Sequence, residues 1–597
     1  MGIAIGIDLG TTNSCAAVFV NGTPEVITYR NGSKTIPSVF AIDKSGNRLI
    51  GEEAVEQAAA NPLNTVTAAK RLIGREYGGH AMEKMQQVFT YELVEGESSE
   101  VLVKIKNQVF TLEQISAAIL RRIRDNAEDV LGKAVDKAVI TVPAYFNDRQ
   151  RQAVRTAGKL AGLEVLRVLN EPTAAALAYG LGRKLHQRVA IYDLGGGTFD
   201  ISIIDIQNKV FEVIATGGDT FLGGVDFDDR VMQYVLGSFL NDTGYDLSYD
   251  RSAVTRVRQE AETAKIRLSD EDEVVIDIPN ICKDDDGEPM HLKHTLRRSQ
   301  LEKMTGDLVA RSIQTCDRIL AESGTSKSEL DEVLLVGGQS RMPLVQTQVG
   351  NFIGKTPSDK VHPDEAVAIG AAIMAYSLAG KQTDTDMTLL DVLPMPIGIN
   401  KTDGSMHILF PKNQPLPDYK NRTLTTSKNN QRSIMLRIYQ GDSKFVRDNQ
   451  LLGRFVFSGL RPGPKGSVRV EVTFHIDSEG ILNLTARDAD TGQMVESQVK
   501  LDRDDKPAAP VEPVDSPTTP DETEDVVPLP LTMPQSSLAA PGQNTADTAR
   551  KSTPVPVHNK PAQPSEKEKA AEVPAQTDSL GFFGTIRAWF KSLFAQA

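Results

Sequence analysis

The chain has 597 residues, 40% hydrophobic and 24% charged, enough for several domains with ordinary soluble cores. Its net charge of −13 argues against a general affinity for nucleic acid. Its three scattered cysteines, Cys15, Cys282 and Cys316, argue against a disulfide framework or a zinc cluster and fit a reducing compartment. The eight histidines form no ligand cluster, and His291 and His294 fall in a polar, loop-like stretch where they are expected in solvent. The first residues read as a strand rather than a signal peptide, and no apolar run is long enough to span a membrane, so a cytoplasmic protein is expected.

In chain order, Ile3 to Ser14 reads IAIGIDLGTTNS and is followed by the apolar run CAAVFV. That is strand, tight Gly/Thr turn, strand, with Asp8 ending the first strand. The plan returns at Arg188–Ile206, RVAIYDLGGGTFDISIIDI, with Asp193 in the place of Asp8 and Asp200 beyond the turn. Glycines let backbone N–H groups approach phosphates, hydroxyls add donors, and a carboxylate can hold a hydrated metal ion. One such turn could be an ordinary hairpin; two in the same register suggest two homologous lobes closing on one nucleotide.

The stretches between alternate strand-like and helix-like patterns, which argues for α/β architecture over residues 1–380. A basic segment from Asn61 through Lys70 and Arg71 looks helix-like. Ala138–Val142 reads as a buried strand ending at Pro143, before the polar helix that starts near Arg149. Val165–Asn170 places Glu171 at a strand end, ahead of an Ala-rich helix with proline at its start. A third glycine turn, Gly337-Gly338, follows the strand VLLV. Glu262, Lys265 and Ser269 share one helix face by spacing, and that face could be solvated or could grip a ribose and base.

The motifs IGIDLGTTNS, VPAYFND, LNEPTAAALAYG, DLGGGTFD and VGGQSRMP, in this order, resemble the bacterial seventy-kilodalton heat-shock chaperones of the DnaK type over residues 1 to about 503. The resemblance implies an actin-like ATPase of two duplicated lobes that uses ATP, Mg²⁺ and K⁺. Asp8, Gly10, Thr11, Thr12, Asp193, Gly195, Gly196, Gly197 and Thr198 would line the phosphate site. Asp8, Asp193 and Asp200 would place the metal ions. Lys70, Glu171 and Thr198 would be catalytic, with Lys70 positioning the γ-phosphate and water. Glu262, Lys265, Ser269, Gly337, Gly338 and Arg341 would hold the adenosine. Some members carry an arginine after the helix lysine; here it is Ile266, which leaves one side of the adenine clamp apolar.

Asp386–Asp391, DMTLLD, resembles the family's interdomain linker, assigned here to 381–391, with Leu389, Leu390, Asp391, Pro143 and Arg151 carrying the allosteric signal. Residues 392–503 alternate as short strands with turns at Asp477–Gly480 and Asp488–Gly492, an all-β sandwich similar to the family's peptide-binding domain. An extended apolar client peptide would lie against Ile399 and the pocket residue Ile434. The residues aligned with the arch over the peptide, Thr402 and Ser427, are small and polar. Tyr145, Asn147, Asp148, Arg167 and Asn170 match the family's surface for J-domain co-chaperones, and a GrpE-like exchange factor is implied as well. The chain then departs from its family. Where a helical lid usually follows, 504–579 is rich in proline, with 14 of the 31 prolines between Pro507 and Pro574 and no aromatic residue, and is expected to be a disordered linker without a lid. Residues 580–597, LGFFGTIRAWFKSLFAQA, gather Phe582, Phe583, Ile586, Trp589, Phe590, Leu593 and Phe594 at helical spacing. With Arg587 and Lys591 this makes an amphipathic helix suited to a membrane interface, a partner groove or the chain's own domains. A small-molecule kinase or an actin-like filament protein on the same lobes are the alternatives to a chaperone for unfolded polypeptides; the sandwich and tail are awkward for both.

Overall fold

Two sheets of one design organise the N-terminal part of the chain. In the first, strands Thr23–Val26, Asn13–Val20, Ile3–Asp8, Val135–Val142 and Glu164–Asn170 lie side by side, antiparallel through the first three and parallel through the last three. In the second, Val210–Asp219, Phe199–Gln207, His186–Leu194 and Glu332–Val336 repeat the order and directions. A single parallel bridge from Leu334 to Ser358 stands where the first sheet has its fifth strand. The duplicated hairpins are therefore duplicated lobes, lobe I built on the first sheet and lobe II on the second. This computed structural model describes residues 2–78, 82, 89–183, 186–358, 360–380, 387–401 and 403–500. All of them belong to one unit that runs from Met1 to Glu512.

The lobes meet on two alanine-rich helices, Glu171–Gly180 and Ala366–Leu378. Small residues set how close they come. A Cβ on Gly370 would stand 1.8 Å from the Ala174 carbonyl oxygen, and one on Gly6 would stand 2.0 Å from the Ala372 nitrogen. Any side chain there would push the lobes apart. Local chemistry fixes the neighbouring helix starts. Asn147 and Gln150 form a reciprocal capping box on Asp148–Leu160, and Thr111 and Gln114 do the same for Leu112–Leu131.

Met387–Asp391 carries a short strand, Thr388–Leu390, which pairs in parallel with Val210–Glu212 and extends the second sheet at its edge. Beyond it the chain forms two antiparallel sheets. One orders Met406–Phe410, Ile397–Asn400, Ser433–Gln440, Gln450–Ser458 and Glu496–Lys500; the other orders Asp418–Thr425, Arg469–Ile476 and Leu482–Asp488. Ile438, Phe457, Val470, Val472 and Phe474 fill the space between, as alternation along the strands requires.

Two local expectations are corrected. Asn61–Gly74 is not a helix. Pro62–Asn64 and Ala69–Arg71 are single 3₁₀ turns, and between them Thr65–Val66 pairs with Phe40–Ala41. The β-branched pair is drawn onto a small sheet, and Ala68 turns the chain with a φ of 53°. His291 and His294 lie not in a loop but on the strand Pro289–Arg297. His294 packs edge-on against Tyr234, its Nδ1 is 3.3 Å from Ser238 Oγ, and burial holds its pKa below the ordinary value. No helix among the described residues is long and apolar enough to cross a membrane. The tail after Lys500, including both its expected disorder and the helix at 580–597, lies outside the described residues.

Candidate functional site

The two Gly/Thr turns face one another across a cleft of about 630 Å³. A Cβ on Gly196 would meet Thr12 Oγ1 at 2.2 Å, and one on Gly197 would meet Thr11 Oγ1 at 2.4 Å, so glycine is what lets the turns close. Asp8, Gly10, Thr11, Thr12, Lys70, Glu171, Asp193, Gly195, Gly196 and Thr198 line one end. Glu262, Lys265, Ser269, Gly337, Gly338 and Arg341 line the other. The structure thus gathers residues spread over more than 330 positions. Gly197 and Asp200 stand behind this lining. Asp200 is buried under it, and its Oδ1 accepts the Tyr145 N–H at 3.0 Å.

At the end lined by the two Gly/Thr turns, Lys70 Nζ lies 2.5 Å from Glu171 Oε1, both side chains buried. Burial opposes the Lys70 charge, but Glu171 and then Asp8 outweigh it and hold the ammonium above the ordinary lysine pKa. Asp8 is pushed up to about 7 by burial and by Glu171, with Lys70 and the Thr141 hydroxyl pulling the other way. Asp200 rises to about 7 through burial and Glu171, and burial and Glu171 also hold Asp193 well above the ordinary carboxylate value. The floor of the cleft therefore gathers the carboxyl groups of Asp8, Glu171, Asp193 and Asp200 around one ammonium, and burial disfavours the charged forms of the three aspartates. No group of three or more acidic, imidazole or thiol side chains among the described residues is placed to hold an ion alone. Such a set fits Mg²⁺, which keeps several waters and takes phosphate oxygens as further ligands.

At the other end, Glu262 and Lys265 project from the helix Arg251–Arg267 and Ser269 follows it, so the shared face continues one turn past the helix. Lys265 Nζ is 2.9 Å from Asp228, a partner that sequence spacing did not suggest, and Arg341 pairs with Asp364 at 2.5 Å. Ile266 is 59% exposed, an apolar side chain at the rim. Arg71 pairs with Asp226, a contact that the sequence surroundings of neither residue suggested.

The residues matched to a co-chaperone surface do not form a free face in this arrangement. The sandwich and linker cover them. Tyr145 OH bonds Asp442, and Asn147 Nδ2 donates to Gln450 at 2.5 Å. The Asp148 N–H donates to Gln440, and Asp148 Oδ1 accepts the Leu482 N–H. Arg167 donates to the Ser478 carbonyl, and Asn170 Nδ2 donates to Asp391 at 2.8 Å. Arg155 pairs with Glu479 beside them. Arg151, also buried, donates to the carbonyls of Ala144 and Phe146 and so braces the turn after Pro143. Strand ends and a helix start leave these polar groups pointing off the lobe, which makes the same patch a dock for whatever presents complementary groups.

In the sandwich, Ile434 is buried in the core, and Ile399, Leu424 and Leu436 pack half-buried against that same core. Ser427 is exposed and donates its N–H and hydroxyl to Gln431 Oε1. Thr402 lies outside the described residues.

Duplicated sheets closing on a glycine- and carboxylate-lined cleft, followed by a β-sandwich, are consistent with an actin-like ATPase joined to a substrate-binding domain. A family model described as Hsp70 protein matches residues 4–569, and the chain belongs to the Hsp70 family. Members of that family are ATP-dependent chaperones that bind ATP with Mg²⁺ and work on unfolded clients with co-chaperones.

Proposed function

We propose that this chain is a DnaK-type chaperone in which ATP binding and hydrolysis set the grip of the sandwich on extended apolar peptides. One observation carries the reading: the linker strand Thr388–Leu390 completes the sheet that ends in the lobe II phosphate turn, while the sandwich hydrogen-bonds the floor of lobe I. Nucleotide-dependent closure of the lobes would then favour or release a docked sandwich, a two-state coupling. The kinase and filament alternatives give the linker strand no part.

In the phosphate end, Lys70 orients the γ-phosphate and the attacking water, with Glu171 2.5 Å away to fix the ammonium. Thr11, Thr12 and Thr198 supply hydroxyl donors, and Asp8, Asp193 and Asp200 would hold Mg²⁺ with K⁺ beside it. A bound metal would supply charge neutralisation at the phosphates, while the chain's own residues bind, align and exclude water. A J-domain partner would use Tyr145, Asn147, Asp148, Arg167 and Asn170 together with the docked linker, and a GrpE-like factor would open the lobes for exchange. With the Pro-rich sequence after Lys506 where the family usually has a lid, peptide exchange would be rapid even with ADP bound, because a lid acts chiefly on dissociation. The apolar and basic residues of 580–597 would tether this body to an anionic membrane face. Flotation with anionic vesicles recovers the full chain, but not a variant ending at Thr577; equal flotation of both removes the anchor. For the main reading, single-turnover ATP hydrolysis speeds up when an unfolded peptide is added, and indifference to peptide sinks it.

A further inference from the structure

We propose that Arg71 is a positioning residue for ATP hydrolysis, one that makes the placement of Lys70 depend on closure of the two lobes. The inference rests on the ATPase reading and concerns a residue outside the nucleotide-contacting set. Lys70 and Arg71 are consecutive in one 3₁₀ turn, where successive side chains diverge by roughly 120°. Lys70 therefore stays within lobe I against Glu171, and Arg71 crosses to lobe II.

What Arg71 reaches there is the phosphate turn and its support. Its Nε donates to the Gly197 carbonyl at 3.0 Å. Nη1 donates to Asp226 Oδ1 at 3.2 Å, and Nη2 bonds Asp226 Oδ2, completing a two-pronged pair. Asp226 Oδ2 also accepts the Gly223 N–H at 2.8 Å, holding the start of the helix Gly224–Thr243. Gly223 in turn packs so tightly on the turn that a Cβ there would lie 2.5 Å from the Gly197 nitrogen. One guanidinium thus spans the turn that would bind phosphate and the helix behind it.

Arg75 braces the same crossing. Its Nε donates to the Arg71 carbonyl at 2.7 Å, Nη2 reaches Thr220 Oγ1 at 2.9 Å, and its guanidinium stands 4.3 Å over the Phe221 ring. Fixing the Arg71 carbonyl fixes the turn that carries Lys70. Arg71 is only 7% exposed, and a buried ion pair adds little stability compared with apolar residues, its best-attested use being to set register. A lysine at 71 could not make the fork.

The test uses the full chain and four variants: Arg71→Met, Arg71→Lys, Asp226→Asn, and the double Arg71→Met/Asp226→Asn, in which the amide oxygen introduced at position 226 still accepts the Gly223 N–H. Arg71→Met slows single-turnover hydrolysis about thirtyfold or more, the scale of a small misplacement of reacting groups. It also speeds release of a fluorescent ADP several-fold. The double variant regains the melting temperature that Arg71→Met loses, since no carboxylate is left unpaired, yet stays as slow; Arg71→Lys stays slow too. Either of these two hydrolysing within about twofold of wild type reduces Arg71 to a stability element and overturns the proposal. If the wild-type chain binds ATP without hydrolysing it, the ATPase reading fails, and an ADP release rate unchanged by Arg71→Met then overturns the clasp separately.

Discussion

Asp8 faces Cys15 across its hairpin, and Asp193, in the matching place of lobe II, faces Asp200. The frames are the same and the chemistry is not. Lobe I offers one carboxylate on its hairpin and adds Lys70 and Glu171 from neighbouring segments; lobe II offers two carboxylates. The edges differ as well. Lobe I ends in the four-residue strand Thr23–Val26, whereas lobe II ends in the ten-residue Val210–Asp219, which has room to take Thr388–Leu390 beside it. A duplicated fold provides two equivalent places to put groups, and function comes from filling them unequally.

The largest test of that inequality is Lys70→Ala, which takes away lobe I's cation. Single-turnover hydrolysis falls by about two to three orders of magnitude while ATP still binds, as expected when a group acts mainly on the transition state. Asp200→Asn makes lobe II resemble lobe I in charge. The Mg²⁺ concentration needed for half-maximal hydrolysis then rises about tenfold, a change of roughly 1.4 kcal/mol in cation binding, and a magnesium titration reads it. Leu389→Asp strips lobe II of its guest strand by placing a charge where Leu389 packs half-buried against the helix and sheet core. ATP then no longer accelerates release of a labelled peptide, measured by stopped flow; acceleration above half the wild-type value would mean that the strand is incidental.

The smallest effect concerns the sandwich contact with lobe I. Burial there pushes Asp148 up to about 6, against the Leu482 N–H and Gln152, which pull it down; Asp477 and Arg151 are the nearest further charges. Asp391 is raised by burial too. Undocked, Asp148 would titrate near the ordinary value of about 3.9. The docked form binds the proton more tightly, so docking strengthens as pH falls through about 6, and the gain levels off below about 4. Energy transfer between labels on lobe I and the sandwich should report about a tenfold gain in the docking constant from pH 7.5 to 5, and Asp148→Asn should flatten it.

How much of this could be read beforehand depended on the range of the interaction. The strand–turn–strand repeat, the alternation of the sandwich, the polar helix near Arg149 and the helix start at Glu171 are local patterns, and these strands, turns and helices stand within a residue or so of where those patterns put them. The helix expected at 61–74 failed because its conformation is decided elsewhere, by pairing with Phe40–Ala41. Asp228 as partner of Lys265, and Asp226 as partner of Arg71, lie 37 and 155 positions away along the chain, and no spacing rule reaches that far. The five residues matched to a partner surface were read as an exposed set; a sequence does not say which of its own surfaces will occupy such a patch.

The contact of Gly370 with Ala174 makes the two central helices a fulcrum. In a rigid rotation, displacement grows with distance from the axis. Glu171 is one turn from Ala174, so a swing about this contact would leave Lys70 and Glu171 paired within lobe I while shifting the lobe II turn that Arg71 grips. Opening would therefore misplace Lys70 against that turn without breaking its pair with Glu171. A bulkier residue at position 370 would act like grit in a hinge, disturbing every opening and closing without touching any group that handles ATP.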